Sequence, residues 1–430
     1  MIILVIACFG CKEVIIPKFY HPTSAYDAYR HGLVKSGLGN SLLVKKWLET
    51  GQNCLQDPTY VKLPYQEILI FDEIVPAANT YRLKTRYGQR IEAQLESIDT
   101  SDARIFIDLF RVWVEDSTEV NRHVATADTI TNTVGFEPRL DGEYILRLHP
   151  ELFAAGRYQL VIKEVPTFTF PVANKTESAI LSVFGDPRDA GRRKHEGVDI
   201  FSRRHTPIIA SASGVVRYAG ERGLGGKQAW IRDRKRDLSL YFAHLDSVYV
   251  RRGDRVQAGD TIGTNGNSGN ARTTNPHLHF GVYGDTGAID PYHFIVPNRK
   301  PLRKIRSNIA WTGQWVRTKN KAFFDQINGR YRTQRDLLPI HQIMKVEAAW
   351  SRSYRVELPD GRVGYVRSGD LALAEPLKNK KSTDTQYITR DIAGHIVLDS
   401  IPPESKYIVL GKHRDAEYVA FGNAQGWVSP

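Results

Sequence analysis

Apolar and polar residues alternate along most of this chain with a period of two, and helical spacing occurs near its start. Ser24 is followed three residues later by Asp27, a pair that resembles the capping box at a helix N-terminus. A second stretch has apolar residues at helical spacing: Leu42, Leu43, Trp47 and Leu48. We therefore predict a short helical segment within residues 12–64.

From residue 65 to residue 172 the alternation is typical of β-strands with one buried face. The clearest runs are residues 81–87, 104–112, 144–148 and 157–163. Several short strands separated by turn residues predict a β-sandwich. This stretch contains no constellation of residues suited to catalysis, so we expect it to serve in placement or binding.

Strand patterns continue to the end of the chain. Glycines punctuate short β-rich runs in residues 178–297. Farther on, residues 354–366 and 418–428 each contain a strand, a turn and a Gly-aromatic-Val sequence, which resembles the end of small bacterial Src-homology-3-like (SH3-like) barrels. We therefore predict a mainly β protein with a β-sandwich accessory domain, a strand-rich domain at 178–297, an SH3-like β-barrel at 310–376 and a second, divergent SH3-like segment at 386–430.

The charge of the chain narrows the set of partners. Over 430 residues there are 59 Lys and Arg against 47 Asp and Glu, a formal net charge of +12. An excess of this kind favours polyanionic surroundings such as nucleic acid, an anionic membrane or a cell wall. The basic residues are scattered, and the sequence contains no pattern typical of a nucleic-acid-binding module. We therefore expect a wall or membrane partner and no nucleic acid.

The chain begins with an unbroken apolar run, Met1 to Phe9. A membrane-spanning helix needs about 20 residues, so the run is too short to span, but it suits the apolar region of a secretion signal. The sequence that ends at Cys8 has the residue types of a bacterial lipoprotein processing site, and Cys11 is a second candidate for lipidation. A signal sequence at residues 1–11 predicts a lipoprotein of the cell envelope, periplasmic or associated with the outer membrane, and otherwise a secreted protein. Incidental cysteines in a hydrophobic N-terminus are the alternative.

Four histidines between residues 178 and 297 stand in settings that suit metal chemistry. His195 precedes Asp199 by four residues, so an imidazole and a carboxylate can converge on one cation where a loop enters a strand. His277 and His279 lie in a β-type run, and residues i and i+2 of a strand point to the same face. His244 stands at the end of another predicted strand. Each pattern alone is a weak indication, whereas their joint occurrence in one segment is specific.

These residue types suit zinc. A hydrolytic zinc site usually takes three protein ligands from His, Asp and Glu and leaves a fourth position for water. His195, Asp199 and His279 supply such a set, in which one imidazole of the His277/His279 pair binds metal and the other faces the open position. His244 and His277 are then available to orient the water, accept its proton and hydrogen-bond a developing oxyanion.

The order of these residues resembles the catalytic domain of the lysostaphin-type zinc peptidases. The matching elements are His195-x-x-x-Asp199, Tyr-x-Ala-His244-Leu, Gly-Asp-x-Val-x-Ala-Gly-Asp-x-Ile-Gly at 253–263, and Pro-His277-Leu-His279-Phe. The resemblance implies a compact antiparallel β fold with a groove floored by the metal. It also implies that Zn²⁺ is bound by His195, Asp199 and His279, and that His244 and His277 are the catalytic pair.

This sequence departs from the family pattern at Glu196, which precedes the glycine, and in the long polar loop of residues 270–275. Gly-Lys-Gln-Ala-Trp-Ile at 226–231 also replaces the usual strand that contains Gly-Asn. These departures bear on the shape of the groove and therefore on the choice of bond.

The resemblance implies an exported zinc-dependent endopeptidase that hydrolyses peptide bonds in peptidoglycan stem peptides or cross-links. A catalytically inactive member that binds the wall or activates other hydrolases is the first alternative, although none of the ligands is missing here. A biotinyl or lipoyl carrier resembles residues 253–260 but needs an exposed lysine at a hairpin tip, which this sequence lacks. A wall-binding adhesin leaves the clustered histidines unexplained. The sequence leaves open which bond is cleaved and which of His244 and His277 is the general base.

Overall fold

The computed structural model describes residues 22–73, 76–99, 103–327 and 333–428. The apolar run at residues 1–9, together with Cys8 and Cys11, lies outside the described residues, so the secretion signal and the lipid anchor stay predictions. The mainly β prediction is confirmed, since the described residues form 35 strands and three α-helices. Every helix in that part of the chain is too short or too polar to cross a lipid bilayer.

The N-terminal part of the chain contains two helices followed by antiparallel strands. They are α1 Ala25–Lys35, α2 Leu42–Asn53, β1 Thr59–Tyr60, β2 Tyr65–Phe71, β3 Asn79–Thr85, β4 Gln89–Ser97, β5 Ile105–Glu115, β6 Thr118–Thr126, β7 Thr133–Phe136, β8 Gly142–Pro150 and β9 Gly156–Pro166. One sheet has the strand order β1-β3-β8-β5-β6, and β2-β9-β4-β7 form part of another. Apolar side chains of both sheets share one core, among them Leu69, Leu83, Leu95, Leu109, Leu146 and Leu160. This is the two-layer packing expected of a sandwich.

Both predicted helices are present. The Ser24 hydroxyl accepts a hydrogen bond from the backbone N–H of Asp27 at 3.1 Å, which satisfies one of the unpaired N–H groups at the start of α1. In α2 the buried Trp47 donates its indole N–H to the carbonyl of Pro150 at 2.8 Å. Leu42 belongs to the same apolar spacing but is 84% exposed, because the sheet beneath decides which face of α2 is buried.

The central part of the chain forms a second antiparallel unit. Its elements are β10 Ile180–Ser182, β11 Pro187–Arg188, β12 Arg193–Lys194, β13 Val198–Phe201, β14 Pro207–Ile209, β15 Gly214–Glu221, β16 Lys227–Asp233, β17 Leu238–Ala243, β18 Leu245–Val248, β19 Arg255–Val256, β20 Thr261–Asn265, β21 His277–Gly284, β22 Gly287–Ile289 and α3 Tyr292–Ile295. The main sheet has the order β10-β13-β21-β17-β16-β15-β19, and β14-β20-β18 form a small sheet beside it. Arg236 joins this unit to the N-terminal part, since its guanidinium donates two hydrogen bonds of 2.9 Å to the Glu137 carboxylate.

The C-terminal part consists of strands. They are β23 Trp315–Thr318, β24 Ala322–Ile327, β25 Thr333–Leu338, β26 Ile343–Trp350, β27 Ser353–Glu357, β28 Val363–Arg367, β29 Leu371–Leu373, β30 Lys378–Lys381, β31 Gln386–Thr389, β32 Val397–Ile401, β33 Lys406–His413, β34 Ala416–Phe421 and β35 Ala424–Val428. β26 pairs with β2, with Ala348 opposite Leu69, so the C-terminal strands continue the N-terminal sheet. The strands β30 to β35 form a separate sheet. The SH3-like assignment of both C-terminal segments, and the domain boundaries given above, stay predictions.

A buried ion pair joins the N-terminal and C-terminal strands of the sheet that contains β2 and β26. The Arg355 guanidinium donates to both carboxylate oxygens of Glu67, at 3.0 and 3.3 Å, and the two side chains are 5% and 0% exposed. The hydroxyls of Tyr65 and Tyr81 also donate to Glu67. With these four hydrogen bonds the carboxylate is fully paired, which a buried charge requires.

Arg355→Met removes the cation and leaves the Glu67 charge buried without a partner. We expect this change to lower the free energy of unfolding by about 3–5 kcal/mol, as measured by urea denaturation. The double variant Glu67→Gln/Arg355→Met should recover part of the loss, because it no longer buries an isolated charge. A loss no larger than that of the exposed control Arg251→Met would contradict the argument.

His149 in β8 is a buried histidine that the fold keeps neutral. Its ring stacks on Trp47 at a centroid distance of 4.3 Å, and neither ring nitrogen has a hydrogen-bond partner among the described residues. Burial, with a further contribution from the charge of Arg147, lowers the pKa of His149 to about 3.

The folded protein therefore excludes a proton that the unfolded chain binds below its ordinary histidine pKa of about 6.5. We expect thermal stability to be complete above that pH and to decline as the pH falls towards about 3, the lowered pKa of His149. His149→Phe keeps the ring stacking and removes the titration, so it should weaken this decline in melting curves recorded across the window. The same acid dependence in both proteins would contradict this assignment.

Candidate metal centre

The register of three adjacent strands brings the predicted site residues together. β13 pairs with β21 so that Asp199 lies opposite His279, and β17 pairs with β21 so that Ala243 also lies opposite His279. His244 follows β17 directly, and His195 lies just before β13. The alternation of side chains along β21 places His277 on the same face as His279, as the sequence predicts.

Three donor atoms meet at one point on this face. The Nε2 atom of His195 lies 2.9 Å from Nδ1 of His279 and 3.0 Å from Oδ1 of Asp199. The third side of the triangle, from Nδ1 of His279 to Oδ1 of Asp199, is also 3.0 Å. These three residues form a group of ligand atoms close enough to hold one metal ion.

The tautomer of His195 shows that the group suits a cation. Nδ1 of His195 lies 2.8 Å from the carbonyl oxygen of Val183, and because a carbonyl can only accept, this nitrogen carries the hydrogen. Nε2 is therefore the ring nitrogen that faces the carboxylate oxygen of Asp199, and without a proton its lone pair points at this oxygen. Two electron-pair donors that face each other at 3.0 Å require a cation or a proton between them.

The environment keeps Asp199 ionised. Burial alone raises the pKa of a carboxyl group, but hydrogen bonds and charge from the His195 and His279 imidazoles outweigh it and hold the pKa of Asp199 well below its usual range. The other carboxylate oxygen, Oδ2, accepts a hydrogen bond of 2.8 Å from Nη2 of Arg188. Burial lowers the pKa of His279, although the neighbouring Asp199 opposes this effect. Asp199 is thus held in the anionic state that binding a cation requires.

Two further imidazoles face the same space. Nδ1 of His244 donates to the carbonyl of Ser268 at 2.9 Å, and Nδ1 of His277 donates to the carbonyl of Asn275 at 2.8 Å. Each ring therefore directs Nε2 away from the backbone. Burial, followed by the nearby His277 and His279, lowers the pKa of His244 to about 4, so this ring is neutral at physiological pH. The ring centroids of His244 and His277 are 5.1 Å apart.

The five residues line an open cavity of about 510 Å³. Its other lining residues include Arg188, Arg193, Glu196, Leu224, Tyr241, Asn270 and Tyr283. All of the lining lies between Ser182 and Tyr283, so the central unit forms this cavity by itself. Glu196 and Asn270, where the sequence departs from the family pattern, both lie at its wall.

The structure brings together all five residues that the sequence analysis selected: His195, Asp199, His244, His277 and His279. It also reveals Arg188 and Ser182, which that analysis did not select. Both lie in a segment without histidine and before the first ligand, and their relation to Asp199 depends on how β10 and β11 fold back. Only the arginine three residues after the Phe-Gly pair at 184–185 offered a sequence signal, and an isolated arginine is a weak one.

An antiparallel sheet that brings two imidazoles and one carboxylate to one point, with two further imidazoles beside it, is the arrangement expected of a metallopeptidase. Within this class, residues 193–291 match the profile described as Peptidase family M23, and this part of the chain belongs to that family. The resemblance to lysostaphin-type peptidases is therefore confirmed. The matched residues lie inside the segment 178–297 selected from the sequence.

Known proteins resemble parts of this chain. The L-Ala–D-Glu endopeptidase of Bacillus subtilis (strain 168) is 38% identical over 135 residues, which are 29% of this chain and 41% of that protein. The murein hydrolase activator NlpD of Escherichia coli (strain K12) is 31% identical over 120 residues, which are 28% of this chain and 30% of that protein. The chain thus spans less than half the length of these relatives.

Among solved structures, the catalytic domain of the antimicrobial peptidase lysostaphin from Staphylococcus simulans is 32% identical. The match covers 26% of this chain and 87% of that chain, with a TM-score of 0.24.

Gly197, just before β13, leaves room for the ring of His279, one of the candidate ligands. A Cβ atom at this position would lie 2.6 Å from the carbonyl oxygen of Phe280 and 2.7 Å from Cε1 of His279. We therefore expect Gly197→Ala to displace the His279 ring and to weaken metal binding by about tenfold or more, the scale of loss when the surroundings of a ligand are disturbed. Competition with a chelator measures this loss. Gly369→Ala, where nothing lies within 4 Å, is the control, and equal affinities in the two variants would contradict the expectation.

Proposed function

We propose that this protein is an exported zinc-dependent endopeptidase that hydrolyses peptide bonds in peptidoglycan stem peptides or cross-links. The observation that carries the proposal is the convergence of His195, Asp199 and His279 within 3.0 Å, beside the imidazoles of His244 and His277. Membership of family M23 supports the peptidase activity. The similarity to an L-Ala–D-Glu endopeptidase supports a wall peptide as substrate.

In this proposal His195, Asp199 and His279 hold Zn²⁺. The residues fit this ion, since nitrogen and carboxylate oxygen are its usual ligands in hydrolytic sites and three of them leave room for water and substrate. Bound zinc would polarise the scissile carbonyl and lower the pKa of a water molecule towards neutrality. The charge of Asp199 offsets part of the charge of the cation and helps to keep it in place.

The chain itself supplies the proton transfers. Nε2 is the free ring nitrogen of both His244 and His277, because the backbone carbonyls of Ser268 and Asn275 hold their Nδ1 hydrogens. The lowered pKa of His244 keeps a lone pair on its Nε2. This pair accepts the proton of the attacking water and delivers it to the leaving amine. The protonated ring also hydrogen-bonds the negative charge that develops on the carbonyl oxygen.

The rest of the chain suits work at the cell wall. The net charge of +12 favours contact with an anionic polymer. We place the protein in the cell envelope, as a periplasmic or outer-membrane-associated lipoprotein anchored through Cys8 or Cys11, or otherwise as a secreted protein. The SH3-like segments at 310–376 and 386–430 would then bind the wall or pack against the peptidase unit.

A second candidate function is activation of other wall hydrolases, because one relative is a murein hydrolase activator. The complete set of metal ligands and the two flanking imidazoles favour catalysis over this alternative. The two functions differ in a direct way, since only an enzyme cleaves purified peptidoglycan by itself.

The test is to purify the full chain, measure its zinc content and incubate it with purified peptidoglycan while free amines are counted. We expect zinc near one ion per chain and new amines. His279→Ala should lose both, since it removes a ligand. His244→Ala should keep the zinc and slow amine release by about 10²–10⁴-fold, the usual contribution of a general acid–base group.

His395→Ala, at an exposed residue of the C-terminal part, is the matched control and should behave as the wild type. Zinc-loaded protein that releases no amines from walls of several cross-link types would exclude the peptidase activity. The activator function would then be tested by adding a second hydrolase.

A further inference from the structure

We propose that Arg188 is a positioning residue of the metal centre. It holds one carboxylate oxygen of Asp199, so that a single oxygen of this ligand faces the cation and positions stay open for water and substrate. The inference rests on the proposed zinc-dependent function and adds a residue that is neither a ligand nor one of the two catalytic imidazoles.

The two oxygens of Asp199 have separate partners. Oδ1 lies 3.0 Å from both His195 Nε2 and His279 Nδ1, at the point where the donor atoms meet. Oδ2 accepts a hydrogen bond of 2.8 Å from Nη2 of Arg188. The Asp199 side chain is 12% exposed and that of Arg188 is 29% exposed, so water screens this pair only in part.

This division matters because a carboxylate can bind a metal ion through one oxygen or through both. Bidentate binding by Asp199 would occupy a position that the reaction needs for water or for the carbonyl of the substrate. A hydrogen bond between two charged groups is short and strong, and it engages the lone pairs of Oδ2 that would otherwise reach the cation. Arg188 therefore favours binding through Oδ1 alone.

Arg188 also belongs to a hydrogen-bond network that orients a second ligand, His195. The same Nη2 atom donates to the hydroxyl of Ser182. That hydroxyl donates to Oδ2 of Asp186 at 2.8 Å, so its lone pairs are left to accept hydrogen bonds. Nδ1 of His195 lies 3.2 Å from the Ser182 hydroxyl and 2.8 Å from the carbonyl oxygen of Val183.

The segment from Ser182 to Arg188 thus contacts two of the three ligands, His195 and Asp199. It fixes the tautomer of His195 and the rotation of the Asp199 carboxylate at the same time. Hydrogen bonds of this kind orient metal ligands and tune their affinity.

The test compares Arg188→Met, which keeps an apolar stem without donors, with Arg188→Lys and with the control Arg255→Met. Arg255 is exposed on β19 of the same unit and does not line the cavity. Two readouts need no catalysis: zinc affinity by chelator competition, and the visible absorption of the protein loaded with Co²⁺, which reports the coordination number. Amine release from peptidoglycan is the third.

We expect Arg188→Met to bind zinc about tenfold to a hundredfold more weakly than the wild type. Its cobalt absorption should weaken, because a second oxygen of Asp199 raises the coordination number. Arg188→Lys keeps the charge but not the planar guanidinium, and it should restore part of both properties. Arg255→Met should match the wild type throughout.

The proposal is overturned if folded Arg188→Met matches the wild type in both zinc affinity and cobalt spectrum. Circular dichroism of the metal-free protein establishes whether Arg188→Met is folded. If it is not, Arg188→Gln takes its place in the measurements of zinc affinity and cobalt absorption. A wild-type protein that binds no zinc would instead refute the proposed function. If the wild-type protein binds zinc and cleaves peptidoglycan, and Arg188→Met has the same zinc affinity and cobalt spectrum, only this inference is refuted.

Discussion

The metal centre depends on the register of β13 against β21. Val198 and Ile200 of β13 pair with Phe280 and Leu278 of β21, and all four side chains are fully buried in the core of the central unit. The residue between the two pairs on each strand must then point to the opposite face. A slip of one residue would expose the apolar set and bury the polar one, so the hydrophobic core fixes the position of the ligands.

The strand register alone does not orient an imidazole ring. Hydrogen bonds to backbone carbonyls fix the orientation of three of the rings. His195, His244 and His277 each direct Nδ1 at a main-chain oxygen, at 2.8 to 2.9 Å. The carbonyls belong to loops that the sheet holds in place, so the tautomer of each of these three rings is set by a main-chain carbonyl. The loops can therefore vary in sequence while the chemistry of the rings is kept, provided that their backbone path is retained.

The local part of this arrangement could be predicted from the sequence, and the non-local part could not. The pair His277 and His279 follows from the period of two in a strand, and the strand end at His244 follows from the apolar run before it. Arg188 could not be found, since its role depends on a hydrogen bond to a residue on another strand. The pairing of Glu67 with Arg355 joins residues that are 288 positions apart, and no pattern within either strand indicates it. Leu42 shows the same limit, because the burial of a helix face depends on the sheet that it meets.

The joining of β2 to β26 has a mechanical consequence for the central unit. Its chain enters from β9 and leaves towards β23, and both strands belong to the same hydrogen-bonded sheet. The unit is thus tethered at two points, and the bidentate contact between Arg236 and Glu137 adds a third. A domain on a flexible linker searches a volume set by the length of the linker, whereas a doubly tethered one keeps a fixed orientation relative to its neighbours. A polymer that binds to a surface of the N- or C-terminal parts would therefore be held at a fixed distance and a fixed angle from the cavity.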